Sequence, residues 1–220
     1  MGQNVLFPLR RLSEREMIPT GFPDVDTILG GDGIRSGQVT AICGKPTSGA
    51  TSLTYSIMAQ AQRQNRNVLT IDLGETFNPY SAMQWGVEPG HILKVRSEEV
   101  LASVDVVRAV VRNTVKSLII LDTIDMKRSH YFLQLLQPTV VQLKGELVKS
   151  NCAILVLLPK VPSPAIQADY ETVLKLELKE WIYSHEQING YRVLATLVKD
   201  SKINGEPTAC IDILLKGEPH

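Results

Sequence analysis

QVTAICGKPTSGATS, residues 38–52, runs from an apolar segment through two spaced glycines into a stretch compatible with a helix. Gln38–Cys43 is predicted to be a buried strand. The following residues fit the phosphate-binding pattern G-x-x-x-x-G-K-[ST] at every place but the seventh, where Ala50 stands for lysine. Gly44 and Gly49 permit the tight turn, and amides at the start of the next helix can face an anion. Thr51 keeps a hydroxyl suited to magnesium. What is missing is an ammonium facing two phosphate groups, a contact worth ~2–4 kcal/mol by analogy with removed charge-stabilising donors. Gly44, Lys45, Ser48, Gly49, Ala50, Thr51 and Ser52 are the candidate nucleotide-contacting positions. No cofactor is certain, and any binding of ATP with magnesium is expected to be weak.

Outward from this loop, apolar runs alternate with helical patterns, which argues for an α/β fold. The expectation is a mostly parallel central sheet with helices on both faces. Thr51–Asn65 is predicted as a helix and Asn67–Asp72 as the second strand. Pro79–Trp85 is a short helix and Ile92–Val95 a short strand. Ser97 is placed as a helix cap, ahead of the stripe Val100, Val104, Val107 and Val111. Ser117–Asp122 is a central strand ending in a carboxylate. A helix spans Tyr131–Lys149 with a restart at Pro138, and Cys152–Leu158 is another buried strand. Alternation from Leu174 to Lys179 then marks a half-exposed strand. Asn189-Gly190 and Asn204-Gly205 are expected to be turns between antiparallel strands Tyr191–Lys199 and Thr208–Leu215, forming hairpins at the carboxy-terminal edge.

The 220 residues suit one large domain, with 44% apolar and 21% charged residues. Twenty-three basic residues balance 23 acidic ones, so no overall field favours nucleic acid, and any such contact needs a local patch. No apolar run is long enough to span a membrane, and the first residues lack the plan of a secretory signal. Cys43, Cys152 and Cys210 each sit in an apolar run and read as reduced core thiols. The expected location is the cytoplasm, or the nucleus of a eukaryote. No close Cys or His pair suggests a metal site.

The order of these words resembles the RecA recombinase core. It is carried by IPTGFPDVDTILGGDGIRSGQVTAICG, the glycine loop, IDLGETFNP, SLIILD, LKGELVKSNCAILVLL and LVKDSK. The resemblance divides the chain into an amino-terminal segment, residues 1–17, and a RecA-like core, residues 18–217. It implies ATP bound between neighbouring subunits and DNA carried on two loops. Short length and degenerate motifs also resemble the ImuA- and SulA-like relatives, with KaiC-like proteins more distant. The large carboxy-terminal domain of bacterial RecA is expected to be lacking.

Placed on the resemblance, Asp122 corresponds to the carboxylate that holds magnesium through water, with Thr51 as the other contact. The water-activating glutamate falls on Gly74, leaving Glu75 one residue late. The phosphate-sensing glutamine falls on Leu158, which forms no hydrogen bond. Lys45 matches an extra lysine of MinD-like ATPases, or is a plain loop lysine. Lys199 and Lys202 correspond to lysines that reach a neighbour's nucleotide, or are solvated hairpin residues. Lys127, Arg128 and His130 on the first loop and Lys160 on the second are the candidate DNA contacts. Phe7, in the leading segment, is a candidate for docking on another subunit.

The reading is a RecA-like accessory protein without ATPase chemistry, acting in DNA repair, recombination or damage-induced mutagenesis. Its partner is a recombinase, a DNA polymerase or its own kind, with single-stranded DNA as a further ligand. The alternatives are a weak DNA-dependent ATPase using Lys45, Thr51, Glu75 and Asp122, and a KaiC-like scaffold that leaves DNA alone.

Overall fold

The computed structural model describes residues 16–72, 75–95, 100–123 and 129–215. Met17–Ile18 (β1) pairs antiparallel with Ile34–Arg35 (β2), and between them lies helix α1, Pro23–Ile28. Pro at the first helical position fits this short helix, since that amide has no intrahelical partner. Val39–Cys43 (β3), buried at every residue, leads through the glycine loop into α2, Ala50–Arg63. Then follow β4 (Asn67–Asp72), α3 (Pro79–Gln84), β5 (Ile92–Val95) and α4 (Val100–Asn113). The chain continues through β6 (Ser117–Asp122), α5 (Ser129–Ser150), β7 (Ala153–Leu158) and α6 (Pro164–Gln167). It closes with β8 (Thr172–Ser184), β9 (Gln187–Asp200) and β10 (Thr208–Leu214).

The main sheet has eight strands in the order β10-β9-β8-β3-β7-β6-β4-β5. The six strands from β8 to β5 run parallel, and β9 and β10 complete the edge antiparallel. The two sheet faces bury separate apolar clusters. Ile42, Leu53, Ile57, Leu155 and Val193 belong to the α2 side, and Val39, Val107, Leu143, Ile154 and Leu158 to the α4–α5 side. The nearly unbroken apolar runs of β3, β6 and β7 follow from this, since a central parallel strand is covered on both faces.

Three expectations need correction. Asn189 and Gly190 lie inside β9, where Gly190 pairs with both Ile182 and Leu214. The turn from β8 to β9 is made by His185 and Glu186, each with positive φ. The Asn-Gly pair was the stronger sequence signal, but the long ladder between β8 and β9 outweighed it. Helix α5 does not restart at Pro138, which lies inside one continuous helix. Pro138 is exposed, while Val140, Leu143 and Leu147 behind it are buried, so packing offsets the lost backbone bond. Cys210 is exposed rather than a core thiol, because edge strand β10 buries only alternate residues: Ala209, Ile211 and Ile213. Cys43 and Cys152 are buried, and burial pushes the Cys43 thiol up to about 12. Ser97 and Phe7 lie outside the described residues, as do Gly74, Lys127 and Arg128.

An ion pair fastens the amino-terminal part of the core to the hairpins. Arg35 donates to the Asp200 carboxylate at 2.5 Å and to the Leu29 carbonyl at 2.8 Å. The two side chains are 8% and 0% exposed. Asp200 also accepts from the Thr172 hydroxyl and from the amides of Lys202 and Ile203. Burial alone would raise its pKa, but the Lys202 amide, Arg35 and Thr172 outweigh that and hold it below the usual carboxylate value.

Candidate functional site

Parallel strands deliver their carboxyl ends to one edge of the sheet, where the glycine loop, Asp122 and Lys160 stand; Lys199 lies at the opposite end, level with the start of β8. Gly44 starts the glycine loop from a bond between its amide and the Leu158 carbonyl, 2.9 Å. A side chain at this position would meet the Ser48 hydroxyl at 2.0 Å, so glycine is required for the loop to fold over Ser48. Lys45, Pro46 and Thr47 are exposed, whereas Ser48, Gly49 and Ala50 are buried. Gly49 takes a left-handed conformation, φ 88°, that other residues seldom adopt. A Cβ there would come within 2.8 Å of Ile213 and 3.0 Å of Val193, so the loop is pressed against the hairpin strands.

Ala50 opens α2 and is 3% exposed. Its methyl belongs to the apolar cluster that contains Ile42, Leu53, Val193 and Ile213. Ser48, itself 3% exposed, has a buried hydroxyl oxygen without a hydrogen-bond partner. Thr51 is exposed, and the Ser52 hydroxyl lies 2.9 Å from the Tyr191 hydroxyl of β9. The loop thus keeps the backbone shape of an anion cradle, but the seventh place contributes only apolar contact.

The acidic part of the site stands two and three strands away from β3, on β6 and β4. Asp72 and Asp122 are register partners at the ends of β4 and β6. Asp72 accepts from the amides of Thr76 (2.8 Å) and Phe77 (3.1 Å) and pairs with Lys94 at 2.7 Å. Burial would raise the Asp72 pKa, but Lys94 and the two amides hold it below the usual carboxylate value. The Thr76 hydroxyl donates to Asp122 at 2.9 Å, so Thr76 links the two acidic residues, its amide on Asp72 and its hydroxyl on Asp122. Tyr55 of α2 secures the same loop, accepting from the Asn78 amide at 3.0 Å while its ring meets Phe77 edge-on. Glu75 is exposed, with φ 54°. Lys94 and Thr76 were missed in the sequence; a lysine inside the apolar run ILKV was the available signal.

Leu158 is 2% exposed and pairs with Cys43, so its side chain brings no polar group to the loop. A cavity of about 660 Å³ opens between the glycine loop, the segment Pro159–Val161 and the sheet surface of β8 and β9. Lys45, Lys160 and Lys175 line it together with Glu177 and Glu206. A second cavity, about 350 Å³, lies against Ser52 and Trp85, with Leu214 and Leu215 at its edge. Lys199 donates its ammonium to the carbonyls of Gln167 and Tyr170 in its own chain. Lys202 is exposed, and His130 lies in α5.

Comparison with known proteins matches one family model and many relatives, of which three are among the most similar. The family model "RecA N-terminal domain" matches residues 2–158. Protein RecA of Leptospira meyeri is 28% identical over 158 residues, covering 66% of this chain and 41% of that protein. Protein RecA of Leptospira biflexa serovar Patoc gives the same figures, 28% over 158 residues with 66% and 41% covered. The mitochondrial DNA repair protein recA homolog of Dictyostelium discoideum is 29% identical over 153 residues, covering 64% and 34%. The chain therefore spans 41% or less of the length of these curated relatives. No described helix is long and apolar enough to cross a membrane.

Proposed function

Because the chain belongs to the RecA family, we propose that it is a non-catalytic RecA-type accessory protein of DNA repair or recombination. The observation that carries this reading is the buried Ala50 methyl at the place of the phosphate-facing lysine. Two neighbours support it. Glu75 is exposed on a turned-out loop, and Leu158 is closed into the core. A fold kept intact beside these changes suits a protein that works through its subunit faces.

Its proposed partner is a RecA-type recombinase, bound through the faces such proteins use for one another. The leading segment with Phe7 and the exposed Lys202 are the proposed contacts. Lys199 is engaged within its own chain and is a weaker choice. Lys160, exposed after β7, is the described candidate for a phosphate of single-stranded DNA. The neutral net charge makes protein contact the principal mode.

The test mixes the full chain with the recombinase of the same organism on single-stranded DNA and follows filament assembly by light scattering. The expected result is a change in filament length or rate at substoichiometric chain, unaltered by Asp122→Asn. An effect that requires ATP turnover by this chain, and disappears in Asp122→Asn, would overturn the reading in favour of a weak ATPase.

A further inference from the structure

We infer that Lys94 is a built-in counter-cation that neutralises the acidic strand ends and leaves this site without a tightly held divalent metal. The RecA resemblance implies magnesium between Thr51 and Asp122, and the residues present do not suit it. One Asp122 oxygen already accepts from Thr76 at 2.9 Å. The adjacent carboxylate, Asp72, is fully covered and bound by two amides and the Lys94 ammonium. Among the described residues no cluster of three or more His, Cys, Asp or Glu is placed to hold a metal.

The placement follows from the sheet. Lys94 on β5 pairs with Thr70, and Thr70 and Asp72 share one face of β4 because side chains alternate along a strand. An ammonium at position 94 therefore rises beside Asp72. Lysine on an edge strand ordinarily extends into water; here its side chain is only 22% exposed. Its ammonium also stands 5.0 Å from the centre of the Phe77 ring, a second attraction that holds it inward. Two in-register carboxylates would repel each other on adjacent strands. Lys94 offsets one of the two charges, and Thr76 bridges them. A hard dication approaching Asp122 meets less negative charge than the two acids would present alone, and an ammonium nearby.

This inference rests on the reading of an altered nucleotide site, but not on the accessory role. Its test titrates the full chain with Mn²⁺, a paramagnetic stand-in for magnesium, and measures free ion by electron paramagnetic resonance. The parent chain is expected to show no site tighter than about 1 mM, the weak end of oxygen-ligand sites. Lys94→Met should bind Mn²⁺ about ten- to a hundredfold more tightly, an effect of one removed charge. Asp122→Asn in that background should abolish the gain. Circular dichroism checks the fold of each variant. Should Lys94→Met unfold, the double variant Lys94→Met/Asp72→Asn removes both charges and is expected to match the parent's weak binding. A tight Mn²⁺ site in the parent, lost in Asp122→Asn, would overturn the inference, and so would a folded Lys94→Met without any gain. ATP titration in the presence of a chelator separates the two readings. Tight metal-free ATP binding would contradict the reading of a weakened nucleotide site and leave the role of Lys94 standing.

Discussion

Asp200→Ala is expected to destabilise the protein by about 3–5 kcal/mol, the usual cost of removing one partner from a buried ion pair. The substitution strands the Arg35 guanidinium, whose side chain is 8% exposed, leaving it the Leu29 carbonyl as an acceptor. It also removes the acceptor for the Thr172 hydroxyl and for the amides of Lys202 and Ile203. For a chain of this size the melting temperature should fall by roughly 6–20 °C. A double-mutant cycle with Arg35→Ala should give a combined loss smaller than the sum, because each single change leaves the other charge unmatched. The pH dependence has a definite sign. Asp200 has a depressed pKa in the fold, so its stabilisation is present above the unfolded value near ~3.9 and is lost as pH falls through the folded value. Urea unfolding at neutral and acidic pH should therefore show a weaker acid dependence for Asp200→Asn. A loss below about 1 kcal/mol for Asp200→Ala would mean that this pair is not the clasp between the core and the hairpins.

Ala50→Lys is expected to restore affinity for ATP without restoring turnover. The new ammonium would supply ~2–4 kcal/mol of phosphate contact, about 30- to 1000-fold in affinity. The loop is otherwise ready for it: Gly49 keeps its left-handed turn, and the amides of the first turn of α2 remain. Turnover should stay absent, because Glu75 is exposed on a separate turn and Leu158 provides no sensing group. Fluorescent-nucleotide anisotropy measures the first effect, and phosphate release the second. A gain in hydrolysis comparable to the gain in binding would show that Ala50 alone silenced the site.

The fold could be read from the sequence where pattern and packing agree. Asn67–Asp72, Ile92–Val95 and Ser117–Asp122 are strands with the expected bounds. Buried parallel strands leave an unbroken apolar signature, and turn or capping residues bracket them. The errors arose where a local signal met a larger contrary sum. Asn189-Gly190 favours a turn, but thirteen- and fourteen-residue strands pairing along their length place it in β9. Pro138 favours a break, but buried residues on the far side carry α5 through.

The candidate site was legible by type and less so by arrangement. The loop residues and Asp122 could be picked out because glycine spacing and a strand-ending acid leave a linear trace. Thr76 reaches Asp72 locally, but Lys94 meets Asp72 and Thr76 meets Asp122 only through sheet order, which places β5, β4 and β6 side by side. The Arg35–Asp200 pair joins positions 165 residues apart, and nothing in either local segment announces it. The inward commitment of Lys199 likewise depends on where α6 ends, not on its own neighbours in the sequence.

Calorimetric titration of the unmodified full chain with ATP and magnesium tests the central claim most directly. With an apolar methyl at the cationic position of the cradle, the expected result is no saturable heat up to about 1 mM nucleotide, the weak end of ordinary affinities. Saturable binding in the micromolar range, accompanied by phosphate release that Asp122→Ala abolishes, would contradict the account.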